Sequence, residues 1–397
     1  MRLPLLAIIV LILIGVFVDC YIWRQIVDSS RRRWRGVAYA WSSLLMLIFI
    51  IVAVSLPRRS GSDGTLLCVM WMLYAYFSVY IPKYLYCIIS FIGLIPRLWH
   101  GRRWTVFNPI ATIVAVVVFV VMWWAAVVNR ISYQIKEVTI EFADLPKEFD
   151  GYKIVQFSDF HVGTYGNDTA FVSEVVDVMN GLGADAIVFT GDIVNRRTDE
   201  LLPFVEPLSR LHAPDGVYSI LGNHDYGDYS TWKSPEEKAD NLKLLRTLQK
   251  NMGWRLLDNS TAYLYSGGDS IALIGVENWG EPPFKTYGDL EKAYPEQSDS
   301  VFKILLTHNP MHWVNMIADN DSVNIDLALS GHTHAMQMQI GRWSPSKWRY
   351  PTWGGLYSDK GDNHKIYVNI GLGTVAIPAR IGATPEITLI TLKALND

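Results

Sequence analysis

The 397-residue chain contains only three cysteines, Cys20, Cys68 and Cys87, and none after residue 87. Everything beyond that point has neither disulfide nor thiolate metal ligand, which is compatible with either redox compartment. Acidic side chains are scarce at the start: residues 1–129 hold 3 Asp/Glu against 12 Lys/Arg, whereas residues 130–397 hold 35 against 23. No glycine-rich phosphate loop of the P-loop or dinucleotide type is present, nor an internal repeat or low-complexity tract. The acidic later part lacks the basic stripe that gives affinity for a phosphate backbone, so nucleic acid is not an expected partner.

What the first third does have is apolar length. Residues 3–22, 37–56, 65–81 (continuing past Pro82 to 95) and 110–128 each reach the roughly 18 to 20 residues needed to cross a bilayer. A cleavable signal peptide competes for the first run, but more apolar runs follow it and no clear small-residue cleavage site does. The third run is too long for a single span, and Pro82 with Lys83 could end one helix and begin an interfacial or re-entrant one. About four spans are expected, with five possible. Arg24, Arg31, Arg32, Arg33 and Arg35 fill the first loop, and Arg97, Arg102 and Arg103 the third, against Arg58 and Arg59 in the second. The positive-inside bias makes loops one and three cytoplasmic, so four spans place the chain beyond Arg130 on the exoplasmic side and a fifth would reverse that. The expected organisation is a transmembrane anchor, 1–129, and a second domain, 130–397.

The second domain reads as short strands at 133–142, 154–157, 186–190, 217–221, 271–276, 304–307, 327–330, 366–370 and 387–392, with helices at 169–182 and 238–249. Successive βα units in the first half and more strands in the second predict an α/β domain with helices covering sheets.

Five of these strands end in possible metal ligands: "SDFH" with Asp159 and His161, "TGD" with Asp192, "LGNHD" with Asn223, His224 and Asp225, "THN" with His308, and "GHTH" with His332 and His334. Loops at the carboxyl ends of α/β strands converge on one crevice. Carboxylate, amide and imidazole without thiolate suit divalent Mn, Fe or Zn. A bridging carboxylate would let seven such residues hold two ions, an arrangement suited to phosphoester hydrolysis.

In this order the motifs resemble the calcineurin-like metallophosphoesterase superfamily, over roughly residues 150–395. The resemblance implies a four-layer α-β-β-α sandwich behind the all-α transmembrane region. It assigns one metal to Asp159, His161 and His334 and another to Asn223, His308 and His332, with Asp192 bridging. His224 becomes the general acid, with Asp225 orienting or charging it. Two divalent ions, Mn2+ foremost with Fe or Zn as alternatives, are the implied cofactors. The anchor, "LPKEFDGYKIVQFSDFHVG" and "GLGTVAIPARIGATPEITLITL" look most like the membrane-associated YkuE-like group. That group implies a bacterial inner or plasma membrane and a lipid or envelope phosphoester, in some members UDP-2,3-diacylglucosamine. A phosphatase for soluble phosphoesters and a non-catalytic scaffold are the competing readings. Relatives usually have two glycines after G-H-x-H where Ala335 and Met336 stand here, which puts the pocket rim and the substrate in question.

Other residues have two readings each. His212, His312 and His364 are expected to be solvated or core residues. Asn195 either touches substrate or closes a turn, and Arg380 is either a phosphate clamp or part of a structural salt bridge. Trp279, Trp343, Trp348 and Trp353, set among Gly, Pro and basic residues, form either a packed loop or an interfacial lip.

Overall fold

A computed structural model of the chain describes residues 5–27, 33–57, 59–282, 285–294, 301–320 and 322–395. Arg31, Arg32 and Arg58 of the charge argument lie outside the described residues. The chain divides into two compact units, Met1–Val128 with Ala376–Ala379, and Asn129–Val375 with Arg380–Asp397.

The first unit is helical: α1 Leu5–Ile22, α2 Arg33–Ser55, α3 Asp63–Ile92 and α4 Phe107–Val127. Three segments, Arg33–Ser55, Asp63–Trp99 and Phe107–Ile131, are long and apolar enough to cross a membrane, and the 18-residue α1 precedes them. Pro82 does not end a helix. It lies inside the continuous 30-residue α3, and a short 3-10 turn, Ile95–Trp99, follows. Gly15 lets α1 approach α3 closely, since a Cβ there would sit 3.1 Å from the Tyr80 ring. Just above this contact Asp19 pairs with Lys83 at 2.7 Å and accepts from Tyr39 and Tyr80, each at 2.8 Å. The ammonium also lies 4.7 Å from the ring centres of Tyr39 and Tyr80. Charge in an apolar bundle is thus neutralised on the spot.

The second unit is built on β1 Gln134–Phe142, β2 Lys153–Phe157, β3 Ala186–Phe189, β4 Val217–Ser219, β5 Arg255–Leu256, β6 Ser260–Ser266, β7 Asp269–Gly275, β8 Lys303–Leu306, β9 Leu327–Ser330, β10 Gly355–Ser358, β11 Lys365–Val368 and β12 Glu386–Ala394. Its helices are α5 Ala170–Gly181, α6 Val205–Ser209, α7 Pro235–Asn251, α8 Leu290–Ala293 and α9 Met311–Met316. The strands form two sheets, ordered β1-β12-β2-β3-β4-β5 and β10-β11-β9-β8-β7-β6. Within them β2, β3 and β4 run parallel, as do β8, β9 and β11.

Strand periodicity explains the layering. In β3, Ala186 and Val188 join the core that also contains Ile304, Leu306, Leu327 and Leu329 of the other sheet. Ile187 and Phe189 point the opposite way, into the core holding Val172, Val175 and Val176 of α5 and Leu245 of α7. On the outer side of the second sheet, Leu305 and Ala328 pack with Trp313 of α9 and Ala293 of α8. Three apolar layers between four layers of structure make the α-β-β-α sandwich. Helix α7 starts where Ser234 accepts from the Glu237 N–H at 3.3 Å with Pro235 in its first turn, a typical N-terminal cap. The sequence reading missed β5, β6 and β10. All three are sheet-edge or next-to-edge strands whose half-exposed residues carry little apolar signal.

Candidate metal centre

Each of the five motif loops leaves the carboxyl end of a parallel strand, and their side chains meet. Asp159 Oδ1 lies 3.1 Å from His334 Nε2, which lies 3.1 Å from His161 Nε2. Asp192 Oδ2 stands 3.7 Å from His161 Nε2 and 3.1 Å from His308 Nε2. His308 Nε2 in turn is 3.1 Å from Asn223 Oδ1 and 3.2 Å from His332 Nδ1. Two nests of donor atoms therefore share one carboxylate oxygen, that of Asp192.

Backbone geometry at these positions is unusual. Asp159, His161, Asp192, His332 and His334 all have φ between 46° and 75°, the left-handed region that L-residues seldom occupy and that recurs at functional sites. The motif glycines have a reason as well. A Cβ on Gly331 would stand 1.9 Å from Ser158 Oγ and 2.3 Å from Asp159 Oδ2, and one on Gly222 would stand 2.2 Å from Asp192 Oδ1.

Hydrogen bonds decide which ring nitrogens hold protons. His161 Nδ1 faces the Val194 carbonyl at 3.1 Å and His308 Nδ1 the Thr190 carbonyl at 2.7 Å. A carbonyl only accepts, so both Nδ1 atoms are protonated, and in the neutral imidazoles both Nε2 atoms present lone pairs inward. Asn223 donates Nδ2 to Tyr229 Oη at 2.9 Å, which turns its carbonyl oxygen toward His308. Asp159 Oδ1 is buried without a hydrogen-bond partner. Two carboxylates, an amide oxygen and four imidazoles crowded within 3.1 to 3.7 Å of one another make a concentration of ligand atoms that a cation can bind once it displaces the imidazole protons held among them. The spacing suits ligands about 2.1 Å from a tetrahedral ion. The donor set thus fits divalent ions, and among the described residues three groupings could hold one: Asp159/His161/His334, His161/Asp192/His224 and Asp192/His308/His332.

Electrostatics agree at His161 and His332 but not at His308, where burial would lower the imidazole yet the Asp192 and Asp159 carboxylates raise it to about 9, so the proton its Nε2 directs at Asp192 is one that ion binding must displace. Burial and then neighbouring His224 drive His161 well below the usual histidine range, and burial with His308 pushes His332 down to about 3. Both stay neutral, as metal ligands must. Burial would raise the Asp159 and Asp192 carboxyls, yet the surrounding imidazoles, His334 beside Asp159 and His308 beside both, hold them below the carboxylate range.

His224 is half-buried at the mouth. Its Nδ1 donates to the Asn195 carbonyl at 2.5 Å, its N–H donates to Asp192 Oδ1 at 2.7 Å, and its ring stacks on Tyr229 with centres 4.2 Å apart. Asn195 is therefore part of the turn that aims His224. Its own N–H is taken at 2.6 Å by the buried Glu200 carboxylate.

Two expectations change. The Asp225 carboxylate accepts from four backbone N–H groups, of Asp192, Ile193, Val194 and Gly222. It shapes the Asp192 loop rather than pairing with the His224 ring. Arg380 is fully buried and donates to the carbonyls of Gly373, Ala383 and Ile370, with Nη2 3.2 Å from His334 Nδ1. Its partners are carbonyls and the His334 imidazole, in place of an expected phosphate or carboxylate.

Of the remaining histidines, His212 is exposed while His312 and His364 are buried. Sequence reading missed Tyr229, Glu200 and Tyr350, whose hydroxyl is 3.0 Å from His332 Nε2. None lies in a motif, and only the fold brings them to the site.

Residues 152–336 match the family described as calcineurin-like phosphoesterase, and residues 1–130 match its probable transmembrane domain. The uncharacterized metallophosphoesterase YkuE of Bacillus subtilis is 35% identical over 269 residues, 66% of this chain and 85% of its own. A zebrafish (Danio rerio) transmembrane protein with a metallophosphoesterase domain is 30% identical over 71% of this chain and 62% of its own. The UDP-2,3-diacylglucosamine pyrophosphatase LpxG of Chlamydia trachomatis is 28% identical over 71% of this chain and 95% of its own. Matching in its site motifs, its apolar helices and its relatives alike, the chain belongs to the calcineurin-like phosphoesterases, as a membrane protein and a metal-dependent phosphohydrolase.

Proposed function

We propose that the chain hydrolyses a phosphoester or pyrophosphate bond in a lipid or envelope precursor at a bacterial inner membrane, with its catalytic domain, 130–397, on the exoplasmic side. The observation that carries the chemistry is the Asp192 Oδ2 atom shared by two inward-facing sets of lone pairs. Asp159, His161 and His334 would hold one ion and Asn223, His308 and His332 the other, with Asp192 shared between them. Two Mn2+ ions, or Fe or Zn, supply Lewis acidity toward water and a phosphoryl oxygen when bound there. A lipid substrate is supported by the membrane region and by the relative named for UDP-2,3-diacylglucosamine.

The chain's own groups do the rest. With Nδ1 held by the Asn195 carbonyl, His224 keeps Nε2 free at the mouth to carry a proton toward the leaving oxygen. The water oxygen forms the new P–O bond as the old one breaks; His224 as imidazolium passes its Nε2 proton to the departing oxygen, and the proton the water sheds restores the imidazolium. Stacking on Tyr229 fixes the ring plane, so the proton arrives in one direction. Asp225, through its four N–H bonds, keeps the Asp192 loop in its left-handed turn.

The test is mass spectrometry of a membrane lipid extract incubated with Mn-loaded protein, beside the Asp192→Asn variant. Loss of a phospholipid or lipid-nucleotide peak with wild type alone supports the reading. No loss from metal-loaded protein points to soluble phosphoesters, and a chain that takes up no Mn points to a scaffold.

A further inference from the structure

The stretch that follows His334 carries a set of large apolar side chains that the fold leaves out. Met336, Ile340 and Trp343 are 45%, 63% and 39% exposed, and Trp348 is 80% exposed. Of the four tryptophans noted above, Trp353 is buried and Trp279 stacks on His312 with ring centres 5.4 Å apart, so the exposed set is narrower and lies on one loop, 336–348.

This loop is held firmly. The buried Ser344 hydroxyl donates to the Ala335 carbonyl at 2.6 Å and the buried Ser346 hydroxyl to the Thr333 carbonyl at 3.4 Å. Ile340 and Trp343 exchange two backbone hydrogen bonds, of 2.9 and 3.1 Å. Trp343 and Trp348 meet edge to face, 5.7 Å between centres. A rigid loop has no entropic reason to leave two indoles in water, and their exposure is therefore a built feature. Immediately before each indole stands an exposed cation, Arg342 and Lys347, and no ion pair or side-chain hydrogen bond engages either among the described residues.

We infer that the 336–348 loop docks on an anionic bilayer, with Trp343, Trp348 and Ile340 in the headgroup region and Arg342 and Lys347 against lipid phosphates. Tryptophan prefers that interface, and each basic side chain near an anionic surface adds about 1 kcal/mol, roughly fivefold in binding. The bilayer is the partner the chain itself supplies, through its membrane-crossing helices. The consequence for the site is direct. The loop begins two residues after His334 and ends two before Tyr350, whose hydroxyl meets His332, so docking brings headgroup phosphates to the metal centre. In this respect the inference rests on the lipid reading above.

The test uses the full chain in nanodiscs, either phosphatidylcholine alone or with a quarter phosphatidylglycerol. An environment-sensitive label is placed through Trp348→Cys on a background with Cys20, Cys68 and Cys87 replaced by serine. Docking predicts a blue-shifted label that brominated lipid quenches and aqueous iodide does not. The effect should strengthen with phosphatidylglycerol and weaken roughly fivefold for each of Arg342→Gln and Lys347→Gln. Quenching by iodide alone, or fluorescence transfer between labelled copies, overturns the inference, the latter making the patch an interface between chains. If the serine background does not fold, hydrogen exchange of segment 336–350 in wild type serves instead. Protection must rise with phosphatidylglycerol, and equal protection in both lipids refutes the anionic docking. Neither readout needs turnover, so a docked loop in a protein that ignores lipid phosphoesters would refute the substrate and leave the docking intact.

Discussion

His161 and His334 face each other through Nε2 atoms 3.1 Å apart, while the His161 proton is committed to the Val194 carbonyl on the far side of the ring. With the buried Asp159 Oδ1 unpartnered beside them, these two imidazoles belong to a cluster of ligand atoms that a divalent ion can bind. An ion that binds the folded chain and not the unfolded one adds stability by mass action, about 2.7 kcal/mol at a hundredfold excess over its dissociation constant. Mn should raise the thermal midpoint of the wild-type chain and a chelator lower it. In Asp159→Ala the Mn-induced rise should shrink sharply; a full rise there would mean that Asp159 holds no ion.

His224 separates catalysis from metal binding. His224→Ala should lower turnover by about a hundredfold to ten-thousandfold, the usual range for a general acid. Metal content measured by elemental analysis should stay that of wild type. Loss of metal together with activity would instead make His224 a ligand, as its approach to His161 and Asp192 permits.

The turn after G-H-x-H pairs a required glycine with two residues that would be better as glycine. Gly331→Ala forces a Cβ into Ser158 Oγ and Asp159 Oδ2 and should abolish metal uptake. Met336, at φ 46° with an exposed side chain, is in the left-handed region, which costs an L-residue about 1 kcal/mol or more relative to glycine. Met336→Gly should therefore raise the unfolding midpoint slightly, and a lowered midpoint would show that its side chain packs usefully.

His312 predicts an acid-sensitive step. Burial pushes its imidazole down to about 4, against an ordinary value near 6.5. The unfolded chain then binds this proton first as pH falls. The stabilisation is complete above about pH 6.5 and is lost as pH drops toward 4, roughly 3 kcal/mol at the extreme. In His312→Gln, which has no such proton to gain, the unfolding midpoint should fall less steeply than in wild type between pH 7 and 4.5. Parallel curves would contradict the assignment.

In the helical unit, Asp19→Asn leaves the Lys83 ammonium without its 2.7 Å partner. Breaking a fully buried pair on one side costs about 3 to 5 kcal/mol, whereas replacing both partners by apolar groups is often neutral; this pair is part-buried, so Asp19→Asn should cost less than that. Asp19→Leu with Lys83→Met should recover most of the thermal stability lost by Asp19→Asn in detergent. Equal loss in both would show that the pair's worth lies in its contacts with Tyr39, Tyr80 and Ser43.

Much of the site was legible because its ligands are tied to strand ends. An apolar strand followed at once by Asp-x-His or Gly-His-x-His is a local pattern, and parallel strands in one sheet deliver such ends to one edge. The strand-end pattern marked seven candidate ligands and His224, the family resemblance supplied their roles, and the long apolar runs announced the membrane helices. Where the reading stayed open, the deciding contact was remote in sequence. Arg380 could be a clamp or a strut until the carbonyls of Ile370, Gly373 and Ala383 were seen around it.

By itself, then, the sequence determined composition-driven facts: which segments can enter a bilayer, which short apolar runs form strands, and which side chains can ligate a hard or borderline cation. Only the tertiary structure decided that Asp225 holds backbone amides, that Tyr229 turns the Asn223 amide, and that Trp343 and Trp348 stay outside while Trp353 goes in. The physical reason is the same in each case. Periodicity and residue chemistry act over a few neighbours along the chain, whereas hydrogen-bond partners, proton positions and burial depend on atoms that the fold brings together from distant parts of it.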